Sequence, residues 1–202
     1  MRKILLVAGL TAVTAALLVW SRHELGARSA WFAFLVVWLP MTWLGTLSRF
    51  MQPRIPEACH ALHRVELDGR LYEMLGVRLF KRLLRRGPLA VFNPDLHLPG
   101  DPSTANLAHL DQRMRDAEAS HFILLVATLG VVVHAAARGW WGAAGWTLLF
   151  NALVNGYPVM LQRYNRGLLS KRFDPSRTTH RRAHDTRARE DSDPADMADV
   201  GD

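Results

Sequence analysis

Four apolar runs alternate with polar stretches along the chain, and their lengths predict helices that cross a bilayer. The runs cover residues 4–20, 30–47, 121–137 and 140–161. Each approaches the roughly 20 residues a membrane helix needs. The first follows Met-Arg-Lys and precedes small residues at Gly26, Ala27, Ser29 and Ala30. That is also the pattern of a signal peptide, but the run is long for one and a second apolar run follows at once. The second run contains Pro40, which predicts a kink rather than an end. The third and fourth runs are separated only by Arg138-Gly139, so they read as an antiparallel hairpin. The expected fold is all-α: an integral membrane protein with about four transmembrane helices.

Between the two pairs of runs, residues 49–120 form one long polar region. Within it, Leu71, Tyr72, Leu75, Leu79 and Leu83 recur at helical spacing over 70–86, with Arg78, Lys81, Arg82 and Arg85 on another side. This predicts an amphipathic helix lying in the membrane interface, closed by Gly87-Pro88. A helix packed on the region's own core is the competing reading. Residues 92–107 are rich in Pro, Asp, Asn and Gly and read as loop; residues 108–120 read as helix leading into the third run. Four regions result: 1–48 with two spans, 49–120 as a cytoplasmic loop region, 121–169 as the hairpin, and 170–202 as a tail. The tail alternates Arg and His with small polar residues, turns acidic, and has no apolar period, so it is expected to be disordered.

Charge sets the orientation. The net charge is +7, from 25 Lys and Arg against 18 Asp and Glu. The basic residues flank apolar runs, which fits an anionic membrane surface better than nucleic acid. Residues 49–120 hold eleven Lys or Arg, while the short connections hold only Arg22, Arg28 and Arg138. The positive-inside rule then places both termini and the long loop in the cytoplasm of a multi-pass inner-membrane protein. Trp20, Trp31, Trp140 and Trp141 fall at the opposite ends of their runs, as an outer aromatic belt would. The lone Cys59 excludes an internal disulfide and has no nucleophile motif around it.

Three polar features carry candidate chemistry. Glu118 and His121 are three apart at the mouth of the third run, so they share a helix face. Glu118 could orient His121 as a general base toward a substrate hydroxyl. A plain interfacial ion pair is the alternative, and without a second Glu-x-x-His no metal is expected. Gln162-Arg163-Tyr164-Asn165-Arg166 ends the fourth run on the same side. Arg163 and Arg166 could bind phosphate or an oxyanion, and Gln162 and Asn165 could position an acceptor. Membrane anchoring accounts for the arginines but not for the amides. Asn151 and Asn155, one turn apart, and His134 lie inside runs, where polar groups contact partner helices or substrate. His63 and Asp68 have the His-x4-Asp spacing of glycerolipid acyltransferases, a match that chance often gives.

Several of these pieces occur together in an order that resembles the glycosyl-4,4'-diaponeurosporenoate acyltransferase family of carotenoid biosynthesis. They are Arg54-Ile55-Pro56, Phe80-Lys81, Ala117-Glu118-x-x-His121-Phe122, Asn155, and the Gln162 to Arg166 motif. Gly167 stands where the family has proline, and the first run and the tail fall outside the pattern. The resemblance implies transfer of a fatty acyl group to a sugar hydroxyl of a glycosylated carotenoid or related glycolipid. The donor would be acyl-CoA or another acyl thioester, with no bound cofactor. Expected partners are the bilayer and a lipid-like substrate. A non-enzymatic membrane scaffold or lipid-binding partner of a biosynthetic complex is the alternative.

Overall fold

The computed structural model describes residues 2–48, 53–67, 69–86 and 104–172. The described residues are helical, without a strand among them. In chain order the helices are α1 (Arg2–Leu25), α2 (Ala30–Leu47), α3 (Glu57–His60), α4 (Arg64–Leu67), α5 (Arg70–Met74), α6 (Val77–Arg86), α7 (Thr104–Ala137), α8 (Trp141–Asn151) and α9 (Tyr157–Arg172). A π-helical turn, Ala152–Gly156, joins α8 to α9. Of the expected tail, residues 170–172 continue α9 as helix; its remainder, the His63–Asp68 pair at Asp68, and the Gly87-Pro88 stop lie outside the described residues.

Three helices are long and apolar enough to cross a membrane: α1, α2 and the Asn106–Ala137 part of α7. The expected fourth span is not among them as a single helix. The fourth apolar run is divided into α8, the π turn and the start of α9. Pro158 supplies the reason. It has no N–H for the α-helical bond and its ring crowds the preceding turn. The wider turn forms just before it, where the Tyr157 N–H reaches Ala152 O, five residues back. The π turn directs Asn155 into the buried interior.

The hairpin is built from α7 and the α8–α9 rod. At its tight end the Trp140 N–H bonds to Ala135 O at 2.9 Å and the Gly139 N–H to Ala136 O at 2.9 Å. α7 has 34 residues, so it is roughly 51 Å long, well beyond a hydrocarbon core of about 30 Å. Its first half therefore extends past the bilayer depth and carries Asp111, Arg115 and Glu118 away from the apolar end. α2 packs on α8, with Phe34 and Phe150 meeting edge to face at 5.4 Å. α1 rests mainly on α2. Its outer side chains are open, Ile4 at 72% and Val19 at 72%, which suits a helix surrounded by lipid.

At the other end of the hairpin, the 53–86 region wraps around α9. The amphipathic segment is not one helix: it divides into α5 and α6 at Gly76, whose φ of +78° an L side chain rarely adopts. Tyr72, Val77, Leu161 and Tyr164 form a small buried core, with Phe80, Leu84, Tyr157 and Met160 packed against it. Gly69 is needed there twice over. Its φ is +71°, and a Cβ would sit 3.0 Å from the Tyr164 ring. α6 thus places Phe80 and Leu84 on α9, leaving Leu79 at 68% exposure on its other side.

Candidate functional site at the polar end of the hairpin

Glu118 is the centre of a buried ionic node. It is 1% exposed and stands on the face of α7 that meets α9. Arg163 and Arg166, three apart on α9, leave the same face of that helix. Arg163 Nη1 donates to Glu118 Oε1 at 2.8 Å, and Arg166 Nη1 donates to Oε2 at 2.7 Å. Such a carboxylate is tolerable in the interior only because both oxygens are paired with cations.

The arginines tie in the rest of the polar region. Arg163 also grips Glu66 of α4 in two-pronged fashion, Nε to Oε1 at 2.8 Å and Nη2 to Oε2 at 2.9 Å. It donates further to the carbonyls of Cys59 at 2.7 Å and Ala61 at 2.8 Å. Every N–H of this guanidinium is therefore engaged. Arg166 donates to Asp111 at 3.1 Å and to the carbonyl of His60 at 3.1 Å. The Tyr72 hydroxyl donates to Glu66. Arg115 completes the node, bonded to Asp111 at 2.7 Å and Glu57 at 2.9 Å.

Glu66 shows how strongly the node favours charge. Burial raises its pKa, but hydrogen bonds from Arg163, Tyr72 and the His63 backbone outweigh burial and bring it from 4.5 to about 2. Burial and the Glu66 hydrogen bond push the Tyr72 phenol up to about 12. A carboxylate depressed in the folded state stabilises it above the unfolded pKa, and that contribution is lost as pH falls through the folded value. Folded protein should therefore lose about 3 kcal/mol between roughly pH 4.5 and pH 2 from Glu66. Thermal unfolding in detergent across that range measures it. In Glu66→Gln the same window should show a shallower slope.

His121 lies one turn along α7 from Glu118 but does not pair with it. The two oxygens of Glu118 both meet arginines. The imidazole closest to that carboxylate is that of His60, with Nδ1 at 3.4 Å from Oε2 but too poorly aligned to bond. His121 instead faces the π turn, where its Nδ1 lies 3.3 Å from Asn155 Oδ1. Asn155 Nδ2 donates to Asn151 Oδ1 at 2.8 Å, and Asn151 Nδ2 donates to Leu125 O at 3.0 Å. Both asparagines are fully buried, at 0%. The anchored amide order makes Asn155 Oδ1 an acceptor, so Nδ1 of His121 carries the proton. In a neutral ring the lone pair then sits on Nε2. The side chain facing His121 is thus the Asn155 amide and not the Glu118 carboxylate.

Gln162 and Asn165 take a third position. Lys81 Nζ donates to Asn165 Oδ1 at 2.8 Å and lies 5.7 Å from the Tyr164 ring centre. Gln162 Oε1 and Asn165 Nδ2 are shielded from solvent and have no hydrogen-bond partner among the described residues. Buried polar atoms seldom stay unmatched without a reason. One is an acceptor and the other a donor, the combination a hydroxyl group satisfies. Beside the node opens a cleft of about 560 Å³ whose walls include His60, Asp111, Arg115, Arg166, Leu107 and Leu169.

The structure brings Glu118, Arg163 and Arg166 together in one cluster and sets His121 with Asn155 in another. Sequence reasoning missed Glu66, Tyr72, Asp111 and His60. No local signal marks them, because Glu66 and Arg163 are separated by 97 residues. It also gave Arg163 to a substrate anion, a role for which the guanidinium has no N–H left.

Residues 56–173 match the sequence model of the glycosyl-4,4'-diaponeurosporenoate acyltransferase family. No curated protein and no solved structure matches the chain. The matched span covers more than half of the 202 residues and contains the ionic node, the His121–Asn155–Asn151 line and the unmatched amides. The chain belongs to the glycosyl-4,4'-diaponeurosporenoate acyltransferase family.

Proposed function

We propose that this protein is a membrane O-acyltransferase. It moves a fatty acyl group from acyl-CoA, or another acyl thioester, to a sugar hydroxyl of a glycosylated carotenoid or related glycolipid. The observation that carries this reading is an imidazole oriented by a buried amide relay, on a hairpin that also holds an unmatched buried donor and acceptor. Asn155 and Gln162 are seven residues apart on the α8–α9 rod, two turns, and so near one face of it. In this reading Gln162 and Asn165 hold the acceptor hydroxyl and His121 Nε2 removes its proton. The hydroxyl oxygen attacks the thioester carbonyl, a C–O bond forms and the C–S bond breaks. The departing thiolate takes the proton back from the imidazolium, so the ring is restored. Glu118, Arg163 and Arg166 act by holding the walls of the site in place rather than by binding the donor. The exposed basic side of α6, with Arg82, suits the donor's phosphates.

The membrane setting belongs to the same proposal. The rod Trp141–Arg172 crosses as a fourth span despite its π turn, both termini face the cytoplasm, and the membrane is the inner one. α6 lies in the interface with Leu79 and Leu83 toward lipid. The polar end of the hairpin then faces a soluble thioester donor, and a glycolipid reaches it from within the bilayer.

The scaffold alternative draws on one observation: Arg163 and Arg166 are internally neutralised, as structural residues would be. Purified protein in vesicles with acyl-CoA and a glycosylated carotenoid decides between the two. Transfer should release free thiol and give an acylated glycoside in equal amounts. Neither product, together with an unchanged pigment and lipid profile in a deletion strain, would leave the scaffold.

A further inference from the structure

A second cavity lies at the opposite end of the bundle, outside everything assigned above. Its volume is about 340 Å³. Its walls are mostly apolar: Leu18 and Val19 from α1, Phe32 and Val36 from α2, Val131 from α7 and Ala143 from α8. That volume falls at the small end of ligand-binding cavities.

What surrounds the mouth is charged. Arg22 and Trp140 both line the cavity. The guanidinium of Arg28 lies 5.4 Å from the Trp140 ring centre, and that of Arg138 lies 5.7 Å from it. Two arginines thus lie over one indole at the cavity wall, and a third, Arg22, lines the same cavity. None has an ion pair with a carboxylate among the described residues. The nearby Glu24 contacts His23 at 3.3 Å instead. Like charges brought together without an internal anion favour an external one. Trp20, Trp31 and Trp141 are exposed at this same end, the depth at which indoles mark the headgroup level.

We infer that this cavity binds one anionic phospholipid, with an acyl chain between α1, α2, α7 and α8 and the phosphate against Arg22, Arg28 and Arg138. Apolar walls beneath a cluster of cations match such a lipid at both ends. A neutral polyene would account for the walls but not for the three guanidiniums. The site also gives α1 a purpose in the bundle, since the lipid chain would fill the space it leaves against α7 and α8. The inference is independent of the acyl-transfer reading.

The test is lipid retention by the purified full chain, read by native mass spectrometry after incorporation into equimolar phosphatidylglycerol and phosphatidylcholine. Wild-type protein should keep one phosphatidylglycerol, preferred over phosphatidylcholine by about tenfold. Arg22→Ala with Arg138→Ala changes exposed side chains only and should erase the preference. Ala143→Phe, which fills the cavity without touching charge, should lower retention of both lipids. Equal retention of the two lipids by wild-type protein overturns the proposal, as does a preference that survives loss of both arginines. Full retention in Ala143→Phe would mean a lipid held at the surface alone, and recovery of a glycosylated carotenoid in place of phospholipid would mean a different occupant; each refutes the site.

Discussion

Arg163→Ala should be the most destabilising single change in the polar half of the protein, at about 3–5 kcal/mol. The estimate follows from what the substitution leaves behind. Glu118 is 1% exposed and would lose one of its two cations, while Glu66 would lose its two-pronged partner. The carbonyls of Cys59 and Ala61 would lose their donor in the same step. Removing one partner of a buried ion pair costs far more than the pair contributes net, because the remaining charge stays desolvated. Arg163→Lys should recover little. A single ammonium cannot reach two carboxylates and two carbonyls that a planar guanidinium spans. The loss should be local as well as global, since Arg163 holds the Glu57 to Met74 helices onto α9. Thermal unfolding in detergent reads the first effect. Protease cleavage between residues 53 and 86 reads the second. Stability within about 1 kcal/mol of wild type would show that the node contributes little to the fold.

That node also shows where reading the sequence stops. The apolar runs predicted α1, α2 and the upper part of α7, because burial in lipid imposes a length that composition alone reveals. Arg138-Gly139 predicted the hairpin turn, a local feature. Glu118, Arg163 and Arg166 were singled out because they sit at the same end of a hairpin. Their partners were not legible. Helical spacing put Glu118 and His121 on one face of α7, yet spacing says nothing about competition. Two guanidiniums carry full charge at any physiological pH and outcompete a neutral imidazole for a desolvated carboxylate. His121 then found Asn155, 34 residues away, across a contact that depends on the π turn. Pro158 announces a disturbance of the helix, but not that the helix widens rather than bends. The amphipathic segment shows the same limit: Gly76 divides it, and Phe80 and Leu84 pack on the core while Leu79 and Leu83 stay exposed.

His121→Ala is the substitution that separates chemistry from folding. On the acyl-transfer reading it should lower turnover by roughly 10²–10⁴-fold, the usual worth of a positioned general base. Membrane insertion and the ionic node should persist, since no bond of the node passes through His121. The substitution leaves Asn155 Oδ1 without its partner, a cost of about 1–3 kcal/mol, so the variant must be shown to be folded before its activity is interpreted. Asn155→Ala supplies the complementary test. It keeps the imidazole but removes the group that fixes its proton, and should cost about a hundredfold through misplacement of the base. Both variants should lower kcat more than they raise KM, because neither residue is assigned to hold the acceptor. Gln162→Ala should do the reverse, weakening acceptor binding first. The contrast with Arg163→Ala is diagnostic: that variant should fail by unfolding, His121→Ala while folded. Full acyl transfer by a folded His121→Ala protein would remove the imidazole from the reaction and with it the mechanism drawn from the amide relay.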